Sequence, residues 1–506
     1  MSRENEPAKK KARTGDAPAD DDFVEDAEAC TTVVVVETAA EFRAALAGPP
    51  EAAAPPADAP PFVHQIFPPN DEDVCEIKGF KGISITVFVA ATIGRVYCRA
   101  SYDETKGPAT DVAGKLAYWF TAEQGALIDV GQADGPFPNA DAFAAALEGN
   151  DTTYATTPSG EELGEPLHTF DAGDAGTVAV YAADLKPDAE VANLHRRLEP
   201  LLPLYIDGAN TIDTSDGYWM LMLARCAPSG GAPSKTPPPT LGLATVYRHY
   251  HYTPDGAASD PSGGSETRRF KLSQLLVLPR YRGRGVGRAM VRALHALASA
   301  RGAVDVTFED PTPQVTLMRD REDFLRLREA RSGRALEAAA EAAKDGSLRP
   351  SADDAAWMRR EGLLSPRQLA RIWEVLLWAA SGSSTATEAL LRRKAEEEKR
   401  RADASAKCKR FVNLRPLTSG EDAGAADRGQ DGGEEGEDDG DNWMMAKHRG
   451  LKGGRAVELP DATVGMVQTV MAALEGGGDA EAEAEEDPVA TRLVEIRKLL
   501  ELCRKG

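Results

Sequence analysis

The chain has 506 residues, of which 42% are hydrophobic, and it carries a formal net charge of -22. This length and apolar content predict several domains with hydrophobic cores. The excess of acidic residues argues against a general nucleic-acid binder and favours a basic partner. Many soluble proteins, however, are acidic simply for solubility. The six cysteines include no C-x-x-C pair, which predicts neither a disulfide framework nor a zinc site. No apolar run is as long as a membrane span and the amino terminus is charged, so we expect a soluble, intracellular protein.

The first 200 residues predict a disordered arm followed by an α+β domain. Residues 1–60 are rich in Ala, Pro, Asp and Glu, which is typical of disorder, with one strand at residues 32–36. The basic cluster at residues 9–13 is either a nuclear import signal or a chance occurrence. Residues 61–200 are assigned to the α+β domain because apolar side chains alternate at residues 83–89, as in a half-buried strand.

Residues 201–322 have the pattern of strands around a glycine-rich turn and a helix. In the predicted helix, apolar residues recur at steps of three and four and form one buried face. A strand, a glycine-rich turn, a helix and a further strand together resemble a βαβ unit. The apolar strands are predicted at 218–224, 241–252, 270–278 and 304–308, and the apolar helix positions are Met290, Val291, Leu294, Leu297 and Ala298.

The carboxyl-terminal third is predicted to be mainly helical. Residues 323–415 carry Leu and Trp at helical spacing, for example Leu369, Ile372 and Trp373, and form a separate helical domain. Residues 416–487 are expected to be disordered because their dense negative charge cannot bury a core. A last amphipathic helix within residues 488–506 is expected to pack on the helical domain. The predicted fold class is therefore α+β, a mixture of helices and strands.

The strongest chemical signal is the turn Arg282-Gly283-Arg284-Gly285-Val286-Gly287, between a predicted strand and the helix that begins near Arg288. Glycines let the backbone approach a ligand closely, and a helix amino terminus presents free N–H groups to an anion. Arginines at 280, 282, 284 and 288 add positive charge. The position between strand and helix favours a phosphate cradle, although a plain turn or an RGG-like nucleic-acid contact has the same composition.

These motifs resemble the Gcn5-related N-acetyltransferase superfamily, whose signature R-x-x-G-x-G follows a strand. The wider pattern resembles its type B histone acetyltransferase family over about residues 62–400, with the best agreement over 241–327. The resemblance implies a Gcn5-related fold with an amino-terminal α+β domain and a carboxyl-terminal helical domain. It rests on the segments HQIF at 64–67, GFKG at 79–82, TVY at 245–247, LSQLLVLP at 272–279, FEDP at 308–311 and LMRD at 317–320.

The resemblance implies acetyl-coenzyme A as co-substrate and no metal. The backbone of Leu275, Leu276 and Val277 would pair with the pantetheine arm. The N–H groups of Arg282, Gly283, Arg284, Gly285, Val286, Gly287 and Arg288 would hold the pyrophosphate. Thr312, Val315 and Arg321 fall where the family makes further coenzyme contacts. The family often has histidine at the position of Val286, and backbone contacts survive that change.

The same resemblance places Glu309 on the family's general base, with Asp310 beside it. Asp207 falls where the family has a second acid, usually glutamate. The chemistry requires an acid of this kind, since a free lysine amine has a pKa of about 10.4 and must lose a proton before it attacks a thioester. No activated cysteine is apparent, which favours direct transfer in a ternary complex. From the residues alone, Glu309 and Asp310 are better explained as caps of the turn before Pro311, and it is the resemblance that favours the catalytic role.

In the family, the positions of Tyr247, Arg248 and His249 line the groove for a histone tail, and Trp219 is placed to help. Aromatic walls would hold the lysine stem. Asp71, Glu72 and Asp73 match an acidic loop that meets the tail. For each of these residues, core packing or a solvated loop is the competing account. The pair His249-x-His251 also has the spacing of some metal sites, but no further ligand is evident.

The resemblance thus implies acetylation of lysines in the tail of free, newly made histone H-four. It further implies a WD-repeat histone-binding subunit of the RbAp type as partner, and residence in nucleus and cytoplasm. Loops at 226–240 and 254–269 are longer than the family pattern. Two other functions stay open: an acetyltransferase of the same fold that acts on other proteins or small amines, and a non-catalytic acidic histone chaperone.

Overall fold

The computed structural model of the chain falls into two compact units. The first comprises residues 1–323 with 360–364, and the second comprises 324–359 with 365–506. The sequence predicts that the helical domain begins at residue 323; the second unit begins at residue 324, and residues 360–364 belong to the first unit. The structure describes residues 23–47, 57–71, 73–120, 126–129, 140–149, 160–187, 189–227, 237–250, 268–381, 388–389, 391–394, 396, 400 and 488–504.

The strands all belong to the first unit. They are β1 (Val24–Asp26), β2 (Thr31–Val36), β3 (Ala57–Asp58), β4 (Glu76–Lys78), β5 (Phe80–Lys81), β6 (Ser84–Ala90), β7 (Arg95–Ser101), β8 (Glu104–Thr105), β9 (Ala126–Asp129), β10 (His168–Asp171), β11 (Thr177–Asp184), β12 (Trp219–Cys226), β13 (Thr240–Tyr250), β14 (Arg268–Val277) and β15 (Val306–Phe308).

Helices occur along the whole described chain. They are α1 (Ala27–Cys30), α2 (Ala39–Leu46), α3 (Val112–Trp119), α4 (Ala140–Leu147), α5 (Gly160–Leu163), α6 (Glu190–Leu198), α7 (Val286–Ala300), α8 (Pro313–Glu329), α9 (Arg334–Asp345), α10 (Ala352–Gly362), α11 (Pro366–Ser381) and α12 (Pro488–Arg504). None of the described helices is long and apolar enough to cross a membrane.

The central feature of the first unit is a six-stranded sheet in the order β10-β11-β12-β13-β14-β15. Neighbouring strands are antiparallel except β14 and β15, which are parallel and joined through α7, as a parallel pair requires. The predicted strands at 218–224, 241–252, 270–278 and 304–308 correspond to β12, β13, β14 and β15, with residues 251–252 outside the described chain. The apolar positions predicted for α7 are all buried. The prediction of an α+β fold is confirmed.

The predicted boundary between residues 200 and 201 does not separate two cores. β10 and β11, which come from the predicted amino-terminal domain, extend the same sheet that β12 to β15 form. One continuous cluster of buried side chains runs from Ala27 to Val306 and includes Leu363. The pairing of β11 with β12 joins segments about 40 residues apart, which no local pattern reveals, so the sheet crosses the predicted boundary and the boundary itself stays a prediction.

A second, five-stranded sheet has the order β3-β2-β6-β7-β9. β2, the strand predicted at residues 32–36, pairs in parallel with β6. Against one face of this sheet, Phe42 of α2 and Phe143 of α4 contact the rings of Phe88 and Tyr97. Residues 23–47 are therefore ordered, and the predicted disordered arm of residues 1–60 was too long. The composition misled because these short elements are stabilised by distant strands, not by their own length.

The second unit is helical, as predicted. Leu369, Ile372 and Trp373 are buried on α11, together with Leu376 and Leu377. α12 corresponds to the predicted last helix, and it contacts α11 through a face that buries Leu493, Ile496, Leu499 and Cys503. Residues 401–487, which contain the predicted acidic disordered segment, lie outside the described residues, as does the basic cluster at 9–13.

Candidate active site

A cleft opens where β14 and β15 separate. The two strands pair only from Phe270 to Leu272, and the Glu309 N–H then donates to the Leu272 carbonyl at 2.9 Å. Beyond that bond, the edge of β14 facing away from β13 has no strand partner among the described residues. The cleft has a volume of about 740 Å³. Its lining includes residues 272–277, 281–283, 285–288 and 308–312, with Val315 and Met318 of α8.

A β-bulge in β14 shapes the wall of this cleft. Thr245 of β13 lies opposite Gln274, but the next residue, Val246, lies opposite Leu272, so Ser273 is an extra residue. The buried Gln274 side chain fixes this irregularity, because its Oε1 accepts from the Thr245 hydroxyl and its Nε2 donates to the Asn210 carbonyl, both at 2.9 Å. A bulge bends its strand and increases the local twist. The free edge of Leu275, Leu276 and Val277 is thereby turned along the cleft.

The glycine-rich turn ends at the amino terminus of α7. Gly283 and Gly285 have φ of 76° and 85°, a left-handed conformation that side chains rarely adopt, and Gly285 is the N-cap residue of α7. A Cβ added to Gly287 would lie 3.1 Å from the Met318 sulfur, so glycine also permits the close approach of α8. The first N–H groups of α7 have no partner within the helix. The turn therefore has the geometry of an anion site, as the sequence predicts.

Three of the four arginine side chains around this turn are paired with acids of the protein. Arg280 is held by two 2.8 Å hydrogen bonds to Glu41 of α2, and Arg288 donates to Glu322 of α8 at 2.6 Å. Arg282 lies 3.2 Å from Asp58 and above the ring of Tyr205. These guanidinium groups are already paired with acids of the protein. These pairs help to hold the turn in place, and Arg282 and Arg288 also line the cleft, so the contribution of their charge to anion binding stays a prediction.

Glu41 is the centre of the link between α2 and the turn. Burial raises the pKa of the Glu41 carboxyl, but hydrogen bonds from the Arg280 guanidinium and the Glu37 N–H outweigh burial, so the pKa lies below its ordinary value. The Tyr281 hydroxyl donates to Glu37 at 2.7 Å and reinforces the link. An ionised, half-buried acid of the amino-terminal segment therefore anchors the residues that precede the glycine turn.

Glu309 lies at the other end of the cleft, directly after β15. Its Oε1 accepts from the Lys271 ammonium at 2.6 Å, and 43% of its side chain is exposed. Burial raises the pKa of Glu309, but the hydrogen bond from Lys271, with help from Ser273, Lys271's charge and His249, lowers it below its ordinary value. The carboxylate is therefore ionised at neutral pH. This combination of exposure, charge and position in a cleft suits a group that accepts a proton.

The two other predicted acids have different surroundings. Asp310 lines the cleft next to Glu309 and has φ of 31°, which is strained for a residue with a side chain. Asp207 is 73% exposed, lies 3.7 Å from His64, and follows Ile206, which lines the cleft. The Gln274 bond to Asn210 ties the loop that carries Asp207 to β14. The structure therefore brings Glu309 and Asp310 to the cleft and leaves Asp207 at its rim.

An aromatic cluster forms on β12 and β13. The ring of Tyr247 lies 4.9 Å from Trp219, 4.5 Å from His249 and 6.2 Å from Tyr218. Burial and an adjacent Asp216 raise the pKa of Tyr247. Burial and the charges of Lys271 and Arg269 lower the pKa of His249, despite Glu309, so its imidazole is neutral at pH 7. The electrostatic coupling of His249 with Lys271 and Glu309 connects the aromatic cluster to the acid end of the cleft.

Arg248 does not join this cluster. Its guanidinium donates to the carbonyls of Gly217 and Tyr218, at 2.7 and 3.2 Å, and lies 3.5 Å from Asp184. Successive side chains of a strand point to opposite faces, so Arg248 is directed away from Tyr247 and His249. Its contacts hold the turn before β12, and its predicted place in a substrate groove stays a prediction.

The remaining predicted residues lie in three places. Thr312 and Val315 line the cleft, and Thr312 accepts from the Val315 N–H at the start of α8. Arg284 and Arg321 are half-buried and do not line the cleft. Asp71 and Asp73 are exposed in the turn before β4, and Glu72 lies outside the described residues, as does His251. No group of three metal-binding side chains occurs within the described part of the chain.

Sequence reasoning missed two residues that shape this site, Lys271 and Glu41. Lys271 contacts an acid 38 residues away, and Glu41 contacts an arginine 239 residues away. For Lys271, the only sequence signal was the alternation of β14, which predicts that Lys271 and the β-bulge residue Ser273 lie near one another on the strand. For Glu41 there was no such signal.

Comparison with known proteins agrees with this geometry. Residues 23–207 match the family described as the histone acetyl transferase HAT1 N-terminus, and residues 240–315 match the acetyltransferase (GNAT) family. Along the chain, the segment that matches the HAT1 N-terminus precedes the segment that matches the GNAT acetyltransferase domain. The β14–α7–β15 segment with its cleft lies almost wholly within the GNAT match. The resemblance and the Gcn5-related fold inferred from the sequence motifs are confirmed.

Several similar proteins have the name histone acetyltransferase type B catalytic subunit. One from Zea mays is 26% identical over 61% of this chain and 62% of its own length. One from Candida albicans is 31% identical over 39% of this chain and 45% of its own, and one from Aspergillus oryzae is 26% identical over 53% of each. The chain thus spans from under half to about three-fifths of the length of these relatives.

Proposed function

We propose that this protein is a type B histone acetyltransferase, which moves an acetyl group from acetyl-coenzyme A to lysines in the tail of free histone H-four. The observation that carries the proposal is a single cleft with an anion site at one end and an ionised carboxylate at the other. The anion site is the amino terminus of α7, and the carboxylate is Glu309. The similarity to proteins named type B catalytic subunits supports the histone as substrate.

The residues of the cleft fit acetyl-coenzyme A. The free N–H groups at Val286, Gly287 and Arg288 suit a pyrophosphate, because a helix amino terminus favours negative charge. The unpaired edge of Leu275 to Val277 suits the amides of a pantetheine arm, which would pair with it as an added strand does. Bound in this way, the coenzyme supplies an acetyl thioester between the two ends of the cleft.

The residues at the acid end prepare the substrate amine. Glu309 takes the proton from the lysine ammonium, directly or through water, and the neutral amine then attacks the thioester carbonyl. Glu309 is ionised at neutral pH, so its proton-accepting form is always present. The residues that line the described cleft include no cysteine, and transfer therefore proceeds directly in a ternary complex.

The substrate groove is proposed to be the surface around the aromatic cluster of Trp219, Tyr247 and His249. Aromatic faces hold the apolar stem of a lysine, and the net charge of -22 attracts a basic tail. The acidic turn with Asp71 and Asp73 is proposed to meet flanking basic residues. A WD-repeat subunit of the RbAp type is the proposed partner, and the proposed location is nucleus and cytoplasm.

The test is transfer of labelled acetyl from acetyl-coenzyme A to a histone H-four tail peptide, with and without an RbAp-type subunit. We expect transfer to lysines of the tail and not to a peptide with those lysines replaced by arginine. Coenzyme binding by calorimetry runs in parallel. A folded chain that binds the coenzyme but acetylates only other amines is an acetyltransferase of another kind. Histone binding without any transfer would show a chaperone.

The link from α2 to the glycine turn gives a prediction about coenzyme binding. Glu41→Gln removes the charge that holds Arg280 in two hydrogen bonds. The turn then loses part of its anchor, and we expect the Kd for acetyl-coenzyme A to rise about tenfold, equivalent to about 1.4 kcal/mol. The kcat should change far less, because Glu41 does not line the cleft.

The matched control for this prediction is Glu148→Gln. Glu148 makes a 3.0 Å ion pair with Arg43, which lies on the same helix as Glu41. This pair is exposed and does not involve the residues of the glycine-rich turn. Exposed pairs contribute little, so coenzyme binding should be unchanged. Equal coenzyme affinity in both variants, measured by calorimetry, would show that the α2 link does not position the turn.

A further inference from the structure

Lys271 lies beside the cleft, in contact with its lining residue Glu309, and the proposed mechanism does not use it. Its side chain leaves β14 opposite Tyr247 of the aromatic cluster, and its ammonium lies 2.6 Å from the Glu309 Oε1. It is 27% exposed, so it is neither buried in the core nor free in solvent. A substrate lysine must bring its amine within hydrogen-bond distance of the same carboxylate to lose a proton. Lys271 thus already presents an ε-amine to the proposed general base.

We propose that Lys271 is an acetylation site of the enzyme itself, modified by the acyl-coenzyme A thioester bound in the same cleft. This inference rests on the proposed function and extends it to a second acceptor. Glu309 takes one proton from the Lys271 ammonium. The neutral nitrogen forms a bond to the thioester carbonyl carbon, the carbon–sulfur bond breaks, and coenzyme A leaves as a thiolate that recovers a proton. The products are acetyl-Lys271 and free coenzyme A, with no oxidant or reductant required.

The surroundings of Lys271 distinguish it from other lysines. Lys78, Lys344 and Lys394 are ion-paired with Glu76, Glu341 and Glu374, none of which lines the cleft. The groups that face Lys271 are Glu309, the neutral His249, and Arg269, whose guanidinium is held by Asp305 at 2.7 and 2.9 Å. Glu309 is the group that accepts a hydrogen bond from the Lys271 ammonium, and it is therefore the proposed proton acceptor.

Acetylation of Lys271 would change the site. The amide carries no positive charge, so Glu309 loses the ion pair that now occupies it and becomes free for the amine of a bound peptide. Because the Lys271 hydrogen bond and charge are among the interactions that lower the pKa of Glu309, that pKa would also rise. A higher pKa makes a stronger base at neutral pH.

The test incubates the full chain with isotope-labelled acetyl-coenzyme A and no peptide, followed by trypsin and mass spectrometry. Acetylation blocks cleavage after Lys271 and leaves the peptide of residues 270–280 intact. Lys81 is exposed and reports uncatalysed acetylation in the same sample. We expect labelling of Lys271 at least about tenfold faster than Lys81, a rate independent of enzyme concentration, and loss of that excess in Glu309→Gln.

Two controls make the result decisive. Lys271→Arg keeps a cation beside Glu309, so the label at residues 270–280 must disappear although the fold is preserved. A histone H-four tail peptide added to a second sample reports the proposed function separately. If the peptide is acetylated while Lys271 labels no faster than Lys81, or labels equally in Glu309→Gln, the inference about Lys271 is wrong. If neither is acetylated although the coenzyme binds, the proposed function fails too.

Discussion

Glu309→Gln is expected to lower kcat for histone-peptide acetylation by at least about a hundredfold, because an amide cannot accept the proton of the lysine ammonium. The substitution keeps the shape of the side chain. It also leaves the α7 amino terminus untouched, so the Kd for acetyl-coenzyme A should stay within about threefold of wild type. Stopped-time assays with labelled coenzyme and calorimetry of coenzyme binding measure the two quantities.

The pH profile adds a second readout for Glu309. Glu309 can accept a proton while its carboxylate is ionised, that is, at any pH above its lowered pKa. Its activity as a base should be lost only when the pH falls through that pKa. Wild-type kcat/KM should therefore rise with pH through the neutral range as the substrate ammonium loses its proton, with no loss from Glu309.

Asp310→Asn and Asp207→Asn are the matched comparisons. Asp310 shares the cleft and Asp207 lies at its rim, so each tests whether another acid takes the proton. If Glu309→Gln retains more than about a tenth of wild-type kcat while one of these variants loses activity, the base is the other acid.

Glu374→Gln is expected to destabilise the helical unit by about 3–5 kcal/mol. Glu374 of α11 is buried and accepts from the Lys394 ammonium at 2.5 Å and from Arg492 of α12 at 2.9 Å. Burial raises the pKa of Glu374, but the two cations outweigh burial and lower it. The substitution removes the acid from the buried Lys394 and the half-buried Arg492, and Arg492 keeps its ion pair with Glu495 of its own helix. α12 should detach first, because the ion pair that then remains between the two helices in the described chain, Arg371 with Glu495, is longer at 3.7 Å.

Hydrogen exchange of the peptides that contain α11 and α12 measures this loss in the full chain. The matched control is Glu388→Gln, which removes an exposed pair with Arg392 at 3.2 Å and should change exchange by less than about 0.5 kcal/mol. Because the pKa of Glu374 is lowered on folding, its contribution is present at neutral pH and is lost as the pH falls through that pKa. A gap between wild type and Glu374→Gln that stays constant on acidification would contradict the assigned ion pair.

The features that could be predicted are those that depend on a sequence pattern within a short segment. Compact apolar runs located β12 to β15, and helical spacing located α7 and α11, since both patterns are properties of a short segment. The glycine-rich turn and Glu309 were identified because motif and position along the chain coincide. The order of the amino-terminal segment was underestimated, since β2 is stabilised by pairing with β6 and not by its own sequence.

The candidate active site depends both on local sequence patterns and on contacts between residues that are distant in the chain. The sequence by itself determined the α+β class, the turn that suits a phosphate, and the acid that follows β15. Only the tertiary structure decided that Arg280, Arg282 and Arg288 are paired with acids. It also decided that Arg248 is directed away from Tyr247 and His249, and that Lys271 lies against Glu309. Those contacts join residues from 30 to about 240 positions apart, and their partners are chosen by the packing of whole strands and helices, which no local pattern encodes.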